Sequence, residues 1–243
     1  LERSILAGES DAAVHSMKDM ETHFAPNTEI GAVLVREDRR DALVGSYRSL
    51  DELPNRARIG TASVRRAAIL LNYRPDLQIS LIRGNLNRRL DLLAAGDYDA
   101  IILAVAGIKR LGVDIDFTPI DAEIMPSAVA QGVLAVQIAA PKTKRAIEVK
   151  RIVGDLTCPT ALAEITAERS LLAFLDGSCH TPISASATLD DDGYLTLDGM
   201  ILRPDGSESY RHQMRAPLDQ AAALGATLGS ELLGLAGGRK FLE

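Results

Sequence analysis

The sequence predicts an α/β protein of two lobes, followed by a small α+β domain with a three-stranded antiparallel sheet. Between residues 57 and 111, strand-like apolar runs alternate with helix-like segments, which is typical of parallel βαβ units. A buried run at 133–138 could return to the first lobe, so that two crossing segments would enclose a cleft as in two-lobed ligand-binding proteins. After residue 183, turns rich in Asp and Gly separate three strand-like runs, and a helix follows.

The length and composition fit a globular protein and disfavour several classes of partner. A chain of 243 residues is long enough for two or three compact units with real cores. A net charge of -6, with 4% aromatic residues and no Trp, disfavours a protein that coats nucleic acid or stacks on its bases. No apolar run reaches the ~20 residues of a membrane-spanning helix, and no signal peptide pattern is present. We therefore expect no membrane or nucleic-acid partner and a cytoplasmic location.

The cysteines and histidines are not spaced like the ligands of a metal site. Cys158 and Cys179 are expected to be free thiols, because two cysteines in a chain from a reducing compartment rarely pair. The four histidines lack the spacing of a ligand set, so no metal site is predicted. Glycine-rich loops that bind phosphate and the sharp Ser-containing turn of hydrolases are also absent from the sequence.

The first third of the chain places polar residues at the end of a strand. Residues 1–8 have helical character and begin without a start signal, so we expect an amino-terminal piece to be missing. Residues 11–19 read as an apolar strand that ends in Ser16, Lys18 and Asp19, and ligands of parallel α/β sheets lie beyond such ends. On these residues alone, a solvated Lys-Asp pair is the simpler interpretation. Residues 29–35 read as a second strand, and 36–41 as a charged, exposed connector at a domain boundary.

The middle of the chain repeats cations after strand ends. Strands are predicted at 58–61, 78–82 and 100–105, with helices that begin at the N-cap residues Ser63 and Asn85 and a third helix that runs through Leu111. The basic residues that follow these strands are Arg65, Arg66, Arg83, Arg89, Lys109 and Arg110. A solvated face explains one or two of them, but their recurrence at one edge favours an anion-binding cleft. The planar guanidinium group suits carboxylates in particular.

The last third reads as a separate domain. A helix is predicted over 160–175, a tight loop over 178–182, strands over 183–189, 194–202 and 207–215, and a closing helix over 218–235. The predicted domains are 1–35 with 132–153, then 36–131 as a parallel α/β unit, and 154–243. Cys179 beside His180 could mark a nucleophile, although an inert loop thiol is the simpler interpretation.

Five motifs, in order over nearly the whole chain, resemble the hydroxymethylbilane synthase family, also called porphobilinogen deaminase. They are His15-Ser16-Met17-Lys18-Asp19, Gly60-Thr61-Ala62-Ser63-Val64-Arg65-Arg66, Arg83-Gly84-Asn85 with Arg89-Leu90, the run from Leu103 to Gly112, and Asp176-Gly177-Ser178-Cys179 with Pro182. The resemblance implies three domains, the first two shaped like the lobes of a type II periplasmic binding protein. It also implies a monomeric transferase that condenses four porphobilinogen molecules, with loss of ammonia, to linear hydroxymethylbilane in tetrapyrrole and heme biosynthesis.

The resemblance further implies the roles of the site residues. Cys179 would carry a dipyrromethane cofactor through a thioether, and Asp19 would be the catalytic carboxylate. Lys18, Ser16, Ser63, Arg65, Arg66 and Gly84 would bind the cofactor, and Arg83, Arg89 and Arg110 would bind the carboxylates of the growing chain. This assignment suits the chemistry, because each pyrrole unit adds two carboxylates and loss of ammonia leaves a cation that a carboxylate can stabilise.

The sequence departs from the family pattern in three places, and two other interpretations stay open. The amino-terminal strand of the family is missing from the sequence, which could reflect a fragment or a separate amino-terminal piece. In addition, Ser178 stands where a glycine is common in the family, and Asn87 stands where Thr is usual. One rival is a non-catalytic two-lobed binding protein for a small carboxylate, which would give Cys179 no purpose. The other is a transferase with a free cysteine nucleophile, which alkylating agents would inactivate.

Overall fold

The structure is a computed structural model that describes residues 1–178 and 180–242. In these ranges the α-helices are α1 (Glu2–Leu6), α2 (Val64–Tyr73), α3 (Leu86–Ala94), α4 (Val105–Leu111), α5 (Lys144–Gly154), α6 (Pro159–Phe174) and α7 (Ala221–Leu235). The β-strands are β1 (Ala12–Ser16), β2 (Thr28–Val33), β3 (Asp41–Gly45), β4 (Arg58–Gly60), β5 (Gln78–Ser80), β6 (Ala100–Ala104), β7 (Phe117–Pro119), β8 (Leu134–Ala139), β9 (Ile183–Leu189), β10 (Tyr194–Leu202) and β11 (Ser209–Pro217). The predicted α/β class is confirmed.

The first sheet joins the two ends of the predicted first lobe. Its strand order is β1-β8-β2, so the run at 133–138 does return to pair with the early strands. Both pairings are antiparallel, and the idea that Lys18 and Asp19 follow a strand of a parallel sheet is therefore wrong. A 3-10 turn over Met17–Asp19 carries them instead. The buried Met17 side chain fixes this turn in the core shared with α6.

The second sheet has the order β5-β4-β6-β3-β7. The pairs of β4 with β5 and β6 are parallel, as the strand and helix alternation predicted. Strands β3 and β7 were missed, and both pairings of β3 are antiparallel, so the unit predicted to be parallel is mixed. The reason for the miss is local: β3 has five residues and begins with the charged Asp41, which made it look like part of the connector.

The C-terminal sheet is the predicted antiparallel meander, in the order β11-β10-β9. Strands β9 and β10 have the predicted bounds, whereas β11 begins two residues later than expected. Helices α6 and α7 cover the sheet, and their backbones approach closely at Gly225, where a Cβ would lie 2.2 Å from the carbonyl oxygen of Ala167. The core between them contains Leu171, Leu195 and Leu228, all fully buried.

The C-terminal layer is in contact with both other sheets. Helix α6 shares a hydrophobic cluster with Met17, Val33 and Ala135 of the first sheet region. Met200 and Leu202 of β10 pack into the core of the second sheet region. The three sheets therefore surround a common centre, which is where the candidate site lies. None of the helices among the described residues combines the length and the apolar character of a membrane span.

Candidate active site

A cavity of about 400 Å³ lies where the three sheet regions meet. Its walls come from the turn after β1, the start of α2, helix α3, the segment 128–131, helix α6 and the loop before β9. Of the residues predicted to form the site, Lys18, Asp19, Ser63, Arg65, Arg66 and Arg89 line it. The structure therefore brings the catalytic candidate together with most of the predicted cations.

The exposed Asp19 lies on the 3-10 turn after β1, next to Lys18, whose pKa is lowered. Within the described residues, the Asp19 carboxylate makes no hydrogen bond or ion pair, which leaves both oxygens available to a ligand. Burial and, to a smaller extent, the charge of Arg66 lower the pKa of Lys18 from 10.5 to about 8, against the attraction of Asp19 and Asp41. An anion bound beside Lys18 would raise this pKa again.

A buried ion cluster holds two of the predicted cations in place. Asp41 at the start of β3 is fully buried, and it accepts from Arg65 Nη2 at 2.5 Å and from Arg66 Nη2 at 2.6 Å. The Arg65 and Arg66 guanidinium groups also donate to the backbone carbonyls of Pro126 and Ile102. Burial alone would raise the pKa of Asp41, but the two arginines hold this pKa well below its usual range.

The ion cluster around Asp41 retains a positive charge that an anionic ligand can neutralise. Two guanidinium groups share one carboxylate, so the ion cluster carries a net positive charge beneath the cavity wall. Arg65 Nε is buried without a hydrogen-bond partner among the described residues. The N-terminus of α2 lies at the same wall, where Ser63 caps the helix by accepting from Arg66 N. A helix N-terminus of this kind favours an anion.

Two further arginines line other walls of the cavity. Arg89 on α3 donates to the carbonyl of Gly84, and burial together with the charge of Arg66 lowers its pKa. Arg169 on α6 was missed by sequence reasoning, because it lies on a helix that gave only an amphipathic signal. Its Nη2 donates to the carbonyls of Glu21 and Thr22, and burial lowers its pKa. Arg169 therefore adds a cation from α6 to the cavity wall.

The loop that contains Cys179 borders the same cavity. Cys179 itself lies outside the described residues, but its neighbours Ser178 and His180 both line the cavity. The Thr22 hydroxyl donates to the carbonyl of Gly177 at 2.8 Å and so ties this loop to the segment after Asp19. At Gly177, a Cβ would lie 2.5 Å from Cδ1 of Ile183, so a larger residue would have to displace this side chain.

Four predicted site residues lie outside the cavity lining: Ser16, Arg83, Gly84 and Arg110. Arg83 is exposed, and Arg110 Nη2 donates to the carbonyl of Gly132 at 2.7 Å. Gly84 still contributes indirectly, because its carbonyl accepts from Arg89. Lys109, the other cation of the third strand end, pairs with Glu37 at 2.9 Å.

The segment 36–41, predicted to be an exposed connector, is instead mostly half-buried. Arg36 donates to Glu164 at 2.9 Å and to both oxygens of Glu168, at 2.7 and 2.8 Å. Glu168 is fully buried and also accepts from the backbone N–H groups of Ala130 and Ala187. Burial alone would lower the pKa of Arg36, but the two carboxylates raise it. Two of the charges that suggested a surface loop, Arg36 and Arg39, are thus paired with α6.

The arrangement suits a ligand with several carboxylates. In the part of the chain that the structure describes, the cavity and the layer directly behind it contain five cations and two carboxylates: Lys18, Arg65, Arg66, Arg89 and Arg169 against Asp19 and Asp41. The same ranges hold no group of three or more His, Cys, Asp or Glu side chains that could bind a metal ion. The fold and site define an α/β protein with a cationic cleft for a polycarboxylate, and with one exposed carboxylate placed among the cations.

Comparisons with known proteins identify the family. Residues 1–147 match the family model described as porphobilinogen deaminase, dipyromethane cofactor binding domain, and residues 162–234 match the C-terminal domain of porphobilinogen deaminase. The porphobilinogen deaminase of Nitrobacter hamburgensis is 43% identical over 99% of this chain and 75% of its own length. That of Brevibacillus brevis is 40% identical over 100% of this chain and 77% of its own length. The chain belongs to the porphobilinogen deaminase family and spans about three quarters of these relatives.

Solved structures of solute-binding proteins show only a distant likeness. An amino acid transporter substrate-binding protein from Streptococcus pneumoniae, bound to L-arginine, aligns with a TM-score of 0.38 and 16% identity over 64% of each chain. A putative methionine-binding lipoprotein from Bacillus subtilis aligns with a TM-score of 0.40 and 13% identity, over 62% of this chain and 72% of its own. At these scores the likeness does not bear on function. The family assignment disfavours a non-catalytic binding protein.

Proposed function

We propose that the central cavity is where this member of the porphobilinogen deaminase family builds its product, with Asp19 as the catalytic residue. Members of the family are transferases that condense four porphobilinogen molecules, with loss of ammonia, to linear hydroxymethylbilane for tetrapyrrole and heme biosynthesis. The observation that carries the proposal is that one cavity unites Asp19, five cations in and directly behind its wall, and both sequence neighbours of Cys179. Each of these is a requirement of the reaction.

The donor set fits the dipyrromethane cofactor of the family. Each pyrrole ring of the cofactor carries an acetate and a propionate, and Lys18 and Arg66 are cations that line the cavity with N–H groups to spare. We expect these residues, together with Ser63, to hold the cofactor carboxylates through charge-assisted hydrogen bonds. When bound, the cofactor supplies a free pyrrole position on which the chain grows.

Cys179 is proposed to carry the cofactor through a thioether. Its neighbours Ser178 and His180 border the cavity, which supports a tether that enters from this side. We expect denatured holoenzyme to weigh more than its polypeptide by one dipyrromethane, and Cys179→Ala to remove this added mass. Cys158→Ala is the matched control, because Cys158 lies at the start of α6 and outside the cavity lining, so this variant should retain the added mass. An unmodified wild-type mass in active enzyme would contradict the tether.

Asp19 is proposed to stabilise the positive charge that develops when porphobilinogen loses ammonia. The charge delocalises onto the pyrrole nitrogen, and a carboxylate that accepts from this N–H lowers the barrier. The availability of both Asp19 oxygens supports this role, while Lys18 and the arginines keep the substrate carboxylates away from Asp19 by binding them. We expect Asp19→Asn to keep the fold and the cofactor but lose at least about 100-fold in kcat. Near-normal ammonia release would refute the assignment.

The same proposal includes the arrangement of the chain. We infer three domains, 1–35 with 132–153, 36–131, and 154–243, and a monomeric cytoplasmic enzyme. Ser16, Gly84, Arg83 and Arg110 lie outside the cavity lining, so we place any role of theirs at later stages of chain growth or in support of neighbouring residues. Limited proteolysis tests the boundary of the last domain, since cuts should concentrate at the exposed residues 154–156, whereas the other two boundaries lie at the half-buried Arg36 and the buried Gln131 and should resist cleavage.

A further inference from the structure

Gln131 links a cavity lysine to the buried ion cluster. It is 1% exposed, and its side chain makes three hydrogen bonds. Lys18 Nζ donates to Gln131 Oε1 at 3.2 Å, while Gln131 Nε2 donates to the Arg39 carbonyl at 2.7 Å and to Asp41 Oδ1 at 2.9 Å. Asp41 is the carboxylate that also holds Arg65 and Arg66. One glutamine therefore connects all three cations of this wall.

The chemistry of its partners fixes the orientation of the Gln131 amide. The Arg39 carbonyl and the Asp41 carboxylate can only accept hydrogen bonds, so the amide NH₂ must face them. The Oε1 atom is then left for Lys18, whose ammonium can only donate. A flipped amide would put the NH₂ group against an ammonium and Oε1 against a carboxylate. The side chain therefore has one satisfied orientation, with its acceptor directed at Lys18.

The backbone around Gln131 is held in a conformation that it would not adopt alone. Ala130 has a φ of 57°, which is unfavourable for a residue with a Cβ. Its N–H donates to the buried Glu168, and the Gln131 carbonyl accepts from Arg36 Nε at 3.0 Å. Gly132 has a φ of 87°, and a Cβ there would lie 2.4 Å from the Glu37 carbonyl oxygen. Surrounding contacts thus impose this backbone, and their effect is to place the Gln131 side chain.

We infer that Gln131 is a positioning residue that holds the Lys18 ammonium at the cavity wall and stabilises its charged form. The charged groups that face Lys18 are Asp19 from its own turn, Arg65 and Arg66 from α2, and Asp41 from β3. The two arginines oppose the charge on Lys18, so a neutral acceptor with a fixed oxygen is needed close to Nζ. Asp41 cannot fill this place, because Gln131 stands between them. The inference depends on the proposed function in one respect, because the proposed function identifies the anion that Lys18 binds.

The test is a titration of the Lys18 side chain in three proteins with their cofactor in place. We would follow the Nζ resonance by NMR with ¹⁵N-labelled lysine, assigned with Lys18→Arg, in wild type, Gln131→Met and Gln137→Met. Gln137 is a matched control, because it is also fully buried but its Nε2 donates to Glu2 and Thr28, away from the cavity. We expect the midpoint of Lys18 to fall by about one pH unit in Gln131→Met, the effect of losing one hydrogen bond to a charged group. Gln137→Met should leave it unchanged.

A measurement on the wild-type protein keeps the inference testable if Gln131→Met does not fold. The side-chain amide signals of Gln131 should titrate with the midpoint of Lys18, since Oε1 loses a charged donor at that pH. Independent titration of the two side chains, or equal Lys18 midpoints in wild type and Gln131→Met, would overturn the inference. A shifted midpoint with an unchanged KM for porphobilinogen would support the positioning role and refute the proposed contact of Lys18 with a substrate carboxylate.

Discussion

Replacement of Asp41 by asparagine should be among the most destabilising conservative changes in this protein. Asparagine has the same shape as aspartate but carries no charge, so Asp41→Asn leaves the Arg65 and Arg66 guanidinium groups buried without a counter-ion. Both arginines are less than a tenth exposed, so water cannot replace the lost carboxylate. The change also turns an amide NH₂ group toward at least one N–H donor, because all the partners of Asp41 are donors.

The size of the effect follows from the burial of the pair. Removal of one partner from a buried ion pair costs about 3–5 kcal/mol of unfolding free energy, since the remaining charge is left uncompensated. Asp41 has two such partners, so we expect a loss at or above the lower value. With an m value of about 3 kcal/mol/M, a loss of 3 kcal/mol moves the urea midpoint by about 1 M.

The assay is urea denaturation of Asp41→Asn beside Asp76→Asn, followed by circular dichroism at 20 °C. Asp76 is a matched control, because it also accepts two hydrogen bonds from one arginine, Arg74, but at the surface. Because solvent screens that pair, Asp76→Asn should have a urea midpoint close to that of the wild type. We also expect a higher KM in Asp41→Asn, because Arg66 loses its anchor. Equal midpoints for the two variants would refute the view that Asp41 organises this wall.

Three further outcomes test other parts of the site. Acquisition of the cofactor by the cofactor-free chain, measured as mass gain, should slow as the pH rises through about 8, since Lys18 then loses the charge that attracts carboxylates, and Lys18→Arg should remove this dependence. Glu168→Gln should destabilise the protein by about 2–4 kcal/mol in urea denaturation, because the new NH₂ group meets N–H donors on every side. Arg89→Ala should raise KM about tenfold in steady-state kinetics and Arg83→Ala less, because only Arg89 lines the cavity; equal effects would contradict this.

Local signals were sufficient for most of the elements but not for the pairing of β3. Helices α2 and α3 begin after Ser63 and Asn85 as predicted, because a side-chain cap satisfies free N–H groups within the same turn. Strand β3 gave no such signal, since its first residue, Asp41, is a carboxylate at a fully buried position. Only the arginines from α2, which follows about twenty residues later, make this burial possible.

The residues of the candidate site were also predicted from the sequence only in part. Lys18, Asp19 and the α2 arginines were found because their motifs are short and continuous in the sequence. Arg169 and Gln131 were missed, because their roles depend on contacts with residues more than ninety positions away, as in the bonds from Gln131 to Arg39 and from Lys18 to Gln131. Arg36 was misread for the same reason, since its partners Glu164 and Glu168 lie on α6. A run of charged residues in a sequence does not reveal which of them will form ion pairs in the fold.

The buried ion clusters explain how one cavity can hold many cations and remain folded. Like charges placed together repel: burial is the larger cause, but the charge of Arg66 also lowers the pKa of both Lys18 and Arg89. Asp41 offsets this repulsion from behind the wall, where it cannot compete with a ligand for the cavity face. Because the Asp41 carboxylate is already saturated with donors, the remaining positive charge is directed at the cavity. The binding of each ligand carboxylate should therefore relieve repulsion as well as form new hydrogen bonds, so the unliganded cavity is the less stable state.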